Sequence, residues 1–303
     1  MHMNPFKLAV PLAAALVFLP VRSWAAPVLG SNLSSFAVLG GAAVTNTGAT
    51  TLTGNLGVSN NSSASGITGF FGTLANDGPG AFTGTADQGN AFAIAADAQL
   101  VTAMTLLGGM GPGTALGAAL GGLRLAPGIY TVAAGGTNLS GTLTLDGAGN
   151  ANAAWVFQMP STLITSSGSF VDLINTGPGA GVYWNVGSSA TLGTGSTFAG
   201  NILASASITM NQGVTLSCGR ALAHTGAVTL IGDTVSAGNC VGTGAQGSAG
   251  LNGGLTVPDI GAVAALPFAP VAAVPEPASY ALMLAGFGVV GLATRREQRR
   301  IRA

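Results

Sequence analysis

Few side chains between Ala26 and Pro270 are equipped for chemistry. The stretch holds one histidine, His224, and two arginines, Arg124 and Arg220. It has seven aspartates (Asp77, Asp87, Asp97, Asp146, Asp172, Asp233 and Asp259) and neither Lys nor Glu. A zinc site needs several Cys, His or carboxylate ligands at close spacing, and no second His or Cys stands at ligand spacing from His224. A Ser–His–Asp triad has its residue types present, but no Gly-x-Ser-x-Gly elbow supports it. His224, within Ala223-His224-Thr225-Gly226, reads as a loop or solvent-edge residue. Solenoids that cleave polysaccharides carry clustered carboxylates, whereas here the aspartates are scattered, mostly where turn and cap chemistry explains them. The sequence therefore points away from an enzyme, and no cofactor or metal is expected. Two Arg against seven Asp leave the stretch at −5, with no basic patch for nucleic acid.

The remaining reactive residues are Cys218 and Cys240. Two cysteines in an exported chain read as one disulfide, closing the last coil of the fold.

Export is read from the ends. Lys7 precedes an apolar run from Leu8 to Val21, and Ser23-Trp24-Ala25 fits a small-x-small cleavage site. Residues 1–25 read as a signal peptide removed by signal peptidase. Residues 26–240 form the main domain. From 241 to 274 the chain is Gly/Ala/Pro/Val-rich and reads as a linker. Residues 275–303 then follow a fixed order: Pro275-Glu276-Pro277 after Val274, an apolar run from Ala278 to Ala293, and Arg295-Arg296. That order resembles the PEP-CTERM sorting tail of Gram-negative bacteria. The resemblance implies an exosortase as partner, transient inner-membrane association, and release or display at the outer surface.

The elements that position the domain's residues come from repeats. Ser161–Thr165, Ala190–Thr194, Ala206–Met210 and Gly226–Leu230 each centre on an apolar residue. A second apolar position follows at Phe170, Phe198, Val214 and Val235, and a third strand precedes each stretch. Three short strands per unit is the cross-section of a triangular parallel β-helix. One helix interrupts it. Thr85-Ala86-Asp87-Gln88 reads as its capping box, Phe92, Ala96, Leu100, Ala103 and Leu107 as its buried stripe, and Gly108-Gly109 as its stop. Strands at Val156-Phe157, Tyr183-Trp184 and Ile202-Leu203 are apolar on both sides, so the helix is expected to cover them.

The informative feature is then a face. With Leu163, Leu192, Ile208 and Val228 inward, alternation turns Thr162, Thr191, Ser207, Thr209 and Thr229 outward. Earlier coils add Thr45 around Val44, and Asn138 and Ser140 around Leu139. The surface is small, uncharged and rich in hydroxyls. Strands stacked every 4.7–4.9 Å can match an ordered water lattice.

Several segments resemble the bacterial and fungal ice-binding (antifreeze) proteins. They are Leu29-Gly30-Ser31 through Phe36–Gly41, Thr53–Ser59, Leu125–Tyr130, Trp155-Val156-Phe157-Gln158, Val186–Gly193 and Gly219–Ala223, in order over residues 29–237. The resemblance implies a right-handed, discontinuous β-solenoid of triangular section with a long helix along one face. It also implies ice as the ligand, taken on a flat face. On that reading Thr45, Ser140, Thr162, Thr191, Ser207, Thr209 and Thr229 are the expected ice-contacting residues. A different class, a structural or adhesive protein of the extracellular polysaccharide matrix, fits the same export signals.

Overall fold

The computed structural model of the chain describes residues 27–238, 240, 248–257, 263–267, 269 and 270. The expected signal peptide and sorting tail lie outside the described residues.

Each coil of the domain is three short strands joined by tight corners. Gly181–Val186 leads to Ala190–Leu192, then to Thr197–Ala199, and the next coil begins at Asn201–Ala204. Corresponding strands pair in parallel, so three sheets build up as faces A, B and C, taken in that chain order. Glycine makes the corner between faces B and C. Gly48, Gly168, Gly195, Gly213 and Gly232 occupy it in successive coils with φ of 89°, 66°, 64°, 73° and 63°. That left-handed conformation is costly for any residue with a Cβ.

The stack is not in chain order. Along face A the strands run Ala86–Gln88, Asn55–Val58, Phe36–Gly40, Ala221–Ala223, Asn201–Ala204, Gly181–Val186, Ala154–Met159, Gly128–Val132 and Thr114–Leu116. The chain starts in the middle, builds outward to one end, crosses to the other end, and coils back until Ala221–Ala223 meets Phe36–Gly40. The helix Ala91–Gly108 makes the crossing. The coil ending near Cys218 is thus internal. The disulfide Cys218–Cys240 forms as expected, but it does not seal an open end of the stack.

The helix lies on face A, as its stripe requires. Ala93, Ala96, Leu100, Ala103 and Leu107 bury against Phe36, Leu39, Val156, Tyr183, Leu203 and Leu222. Small residues at three of the five helical positions let the helix approach a flat sheet closely. Two expectations for its start are corrected. Ala86–Gln88 is a strand of face A, and the cap is Asn90, whose side chain accepts from the Ala93 N–H at 2.9 Å. Phe92 turns partly outward and Ala93 takes its place in the stripe.

Inside the triangle, aromatic rings continue from coil to coil. Phe157 and Trp184 stack at 4.0 Å between centroids, flanked by Tyr130 and Phe198. The indole N–H of Trp155 donates to Leu125 O, and that of Trp184 to Ala199 O, so neither buried donor is left unpaired.

Residues expected to be linker instead pack on the body. Leu251 and Leu255 are buried. Val182 N–H donates to Leu251 O, Asn201 Nδ2 to Leu251 O, Tyr183 Oη to Gly253 O, and Ala151 N–H to Ala269 O. Segments 248–257 and 263–267, with Ala269 and Pro270, form a strap along the corner where face C turns into face A. Their Gly/Ala composition, read as flexibility, is what allows this close approach. A Cβ at Gly253 would come within 2.2 Å of the Gly179 carbonyl oxygen.

Candidate functional site

Face B carries a column of threonines in register. Ile164 pairs with Thr191, Thr191 with Thr209, Thr209 with Thr229, Thr229 with Thr45, and Thr45 with Thr68. Their inward neighbours Leu163, Ala190, Leu192, Ile208, Met210, Val228, Leu230, Val44 and Ile67 are all buried. The period-two alternation therefore holds each threonine outward on a rigid support. The hydroxyl oxygens of Thr45 and Thr229 lie 3.4 Å apart. No charged side chain stands on the face B strands.

Most residues expected from the sequence sit on this face, though not in one row. Thr45, Thr191, Thr209 and Thr229 form the column. Thr162 and Ser207 each directly precede a face B strand, in line with Ser189 and the paired Ala227 and Ala43. The sequence alignment set Leu163 opposite Leu192; the register sets Leu163 opposite Ala190. A slip of two residues keeps the face and changes the row. Ser140 is corrected outright. Its segment meets face B where Leu139 bridges Thr165 and Asn138 N–H donates to Ile164 O, and Ser140 lies beyond it, outside the sheet. Asn138, expected outward, is buried; its Oδ1 accepts from Ile164 N–H and seals the edge strand. Thr68 and Ser189 were missed. Ile67-Thr68 shows the right alternation, but it is a two-residue strand with no repeat spacing to flag it.

Face C holds a second column. Thr197 pairs with Thr215, Thr215 with Thr234, and Thr234 with Thr51. Phe170, read from the sequence as one of the repeated apolar positions, instead continues this row outward at 39% exposure, with Val171 turned to the core. The same end bears Asp172 and the Arg124–Asp146 ion pair. Two backbone and side-chain donors, Ala148 N–H and Asn175 Nδ2, together with Arg124, hold the Asp146 carboxyl down at about 2. Face C is thus flat at one end and ridged and charged at the other.

Other polar groups serve the frame. His224 Nδ1 and Asp97 Oδ1 lie 3.0 Å apart, tying the corner between faces A and B to the helix. Arg220 is buried and donates to the carbonyls of Ser34, Ala237, Ala249 and Gly250 and to Asn201 Oδ1. Burial lowers its pKa to about 10, so it keeps its charge at neutral pH. Asp233, at the corner between B and C, accepts the N–H groups of Val214 and Ile231, while burial raises its carboxyl to about 6. Among the described residues no group of three or more His, Cys, Asp or Glu is arranged to hold a metal.

A parallel solenoid with a helix-covered face and a flat, uncharged, hydroxyl-bearing face is a protein that recognises an extended surface rather than a small molecule in a pocket. The chain belongs to the Ice-binding-like family, whose model matches residues 38–236. That family is one of binding proteins, not enzymes. The PEP-CTERM protein-sorting motif matches residues 273–300, marking the chain for export to the cell surface or beyond. An ice-binding protein of Nostoc sp. (strain HG1) is 41% identical over 204 residues, 67% of this chain and 71% of the relative. The crystal structure of an ice-binding protein from the Antarctic ascomycete Antarctomyces psychrotrophicus is 35% identical, with a TM-score of 0.58 over 68% of this chain and 95% of that one. That of an ice-binding protein from an Antarctic biological consortium is 34% identical, with a TM-score of 0.63 over 78% and 96%.

Proposed function

We propose that this chain binds ice through face B and so inhibits ice growth or recrystallisation. The observation that carries the reading is the unbroken row Thr191–Thr209–Thr229–Thr45–Thr68 on an uncharged face. Methyls of such a row favour ordered water at the surface, and hydroxyls at strand spacing hydrogen-bond it into register. Thr162, Ser189 and Ser207 extend the array in a second row. Signal peptidase removes residues 1–25, and an exosortase handles the tail from Pro275 at the inner membrane of a Gram-negative cell. The direct test is ice shaping and thermal hysteresis of the purified chain. A parent protein that leaves growing crystals unshaped defeats the reading.

A second reading, a component of the extracellular polysaccharide matrix, is favoured by face C. There the exposed ring of Phe170 shares one end of the face with Asp172 and the Arg124–Asp146 ion pair, a combination suited to sugar rings and their hydroxyls. Retention on immobilised polysaccharide, lost on Phe170→Ala, would support it.

A further inference from the structure

We propose that the strap orients the molecule, turning face B away from whatever surface holds the tail, so that a tail-held chain works as an outward-facing ice tether. The proposal rests on face B being the ice face and adds where that face points.

Apart from the Tyr183 hydroxyl, the strap's partners on the solenoid gather at one edge of the triangle. Its partners Asn201, Val182, Gly181 and Ala151 open the face A strands or lie in the corners that lead into them from face C. The last described residue, Pro270, bridges Asn150 at the same corner. The N-terminal end lies there too. Pro27 and Ser34 line one cleft with Pro178, Arg220, Gly238 and Asn252. In a triangle, the vertex shared by faces A and C is the one opposite face B. The chain therefore leaves the solenoid on the side away from the threonine column.

Tether length decides whether this matters. Only residues 271–277 separate Pro270 from the apolar run that starts at Ala278. Seven residues reach at most about 25 Å when fully extended. Without the strap, the free segment would start near Cys240 and reach roughly 130 Å, enough for the domain to tumble. Docking the strap thus converts a long leash into a short stalk fixed at one vertex. Attachment through the apolar run or through a group near Pro275 gives the same geometry.

The test uses the absence of lysine between Ala26 and Pro270, so that one introduced lysine is the single side-chain amine of the domain, and peptide mapping separates its labelling from that of the Ala26 α-amine. The chain lacking residues 1–25 is reconstituted through its tail into phosphatidylcholine vesicles. Thr209→Lys marks face B, and Pro178→Lys marks the exposed corner beside the strap. A bulky, membrane-impermeant amine reagent should modify the Thr209→Lys chain at least about threefold faster than the Pro178→Lys chain on vesicles, and both alike in solution. A long Gly/Ser insertion after Pro270 should remove the difference. Equal rates on vesicles without the insertion overturn the proposal, as does a chain that fails to float with them. Because ice takes no part in the labelling, an asymmetric chain without ice activity would refute the ice reading and leave the orientation standing.

Discussion

Thr45 and Thr229 stand side by side on face B with their hydroxyl oxygens 3.4 Å apart, although they are 184 positions apart in the chain. The pair is the seam where the first coil docks on the last. On one side lie Thr209 and Thr191, on the other Thr68. The face therefore exists only when both halves of the chain are in place.

The first prediction concerns this row. Thr209→Tyr or Thr191→Tyr lifts a ring above a flat, rigid surface. Thermal hysteresis should fall by roughly tenfold or more, the cost of losing shape complementarity at the centre of a contact. Stability should change by no more than about 0.5 kcal/mol, because the substitution is on the surface and away from caps and core. Thr215→Tyr makes the same change on face C. If Thr215→Tyr abolishes activity while Thr209→Tyr keeps it, the ice face is C.

Arg220 gives a stability prediction. Its guanidinium holds Ser34, Asn201, Ala237, Ala249 and Gly250 together, joining both ends of the described chain to the stack. Arg220→Met leaves those acceptors buried and unpaired and should cost about 3–5 kcal/mol in denaturant unfolding. Lys should not rescue it, since a point ammonium cannot satisfy five acceptors placed around a planar fork. An unchanged midpoint in Arg220→Met would mean that the bonds of its guanidinium contribute nothing to stability.

The buried carboxyl of Asp233 predicts a pH effect of unusual sign. Its pKa is raised from 3.8 to about 6 in the folded protein. The folded state then binds the proton more tightly than the unfolded chain. This contribution to stability is full below pH 3.8 and is lost as the pH rises through about 6. Melting temperature should be higher near pH 4.5 than near pH 7, and Asp233→Asn should flatten that difference. Asp146, held at about 2, works in the opposite direction, but only at lower pH. A melting temperature that instead falls steadily from pH 7 to pH 4.5 would contradict the assignment.

The cysteines and the tail yield two further outcomes. Periplasmic material should show no alkylatable thiol before reduction, since Cys218 and Cys240 are joined. Deleting residues from Pro275 onward should leave melting and ice shaping intact and redistribute the protein between cell surface and medium. Identical distribution with and without the tail would remove the sorting role.

Much of this was legible in the sequence because the relevant signals are local. In and out alternation put Thr45, Thr191, Thr209 and Thr229 on one face, and the spacing of Ala96, Leu100, Ala103 and Leu107 gave the buried helical stripe. What was not legible depends on partners distant in the chain. Alternation is blind to a slip of two residues, so the repeat spacing sets Thr191 beside Thr162 and Ser207, whereas the register puts it beside Ile164 and Thr209. Ser140 follows a buried Leu139 just as Thr209 follows Ile208, yet its segment only seals an edge. The Gly/Ala run after Cys240 resembles a linker because close packing against a backbone corner and flexibility call for the same residues.

The out-of-order stack bears on how the protein is made. An ordinary solenoid can grow coil by coil, each new turn adding to a finished neighbour. Here Phe36–Gly40 waits for Ala221–Ala223, so the contact that joins the two halves of the stack spans most of the domain's length and forms late in synthesis. Such a high contact order slows folding. For an exported chain the delay is an advantage: a polypeptide that cannot complete its core until its far end emerges stays threadable through a membrane channel, and closes once both ends have reached the other side.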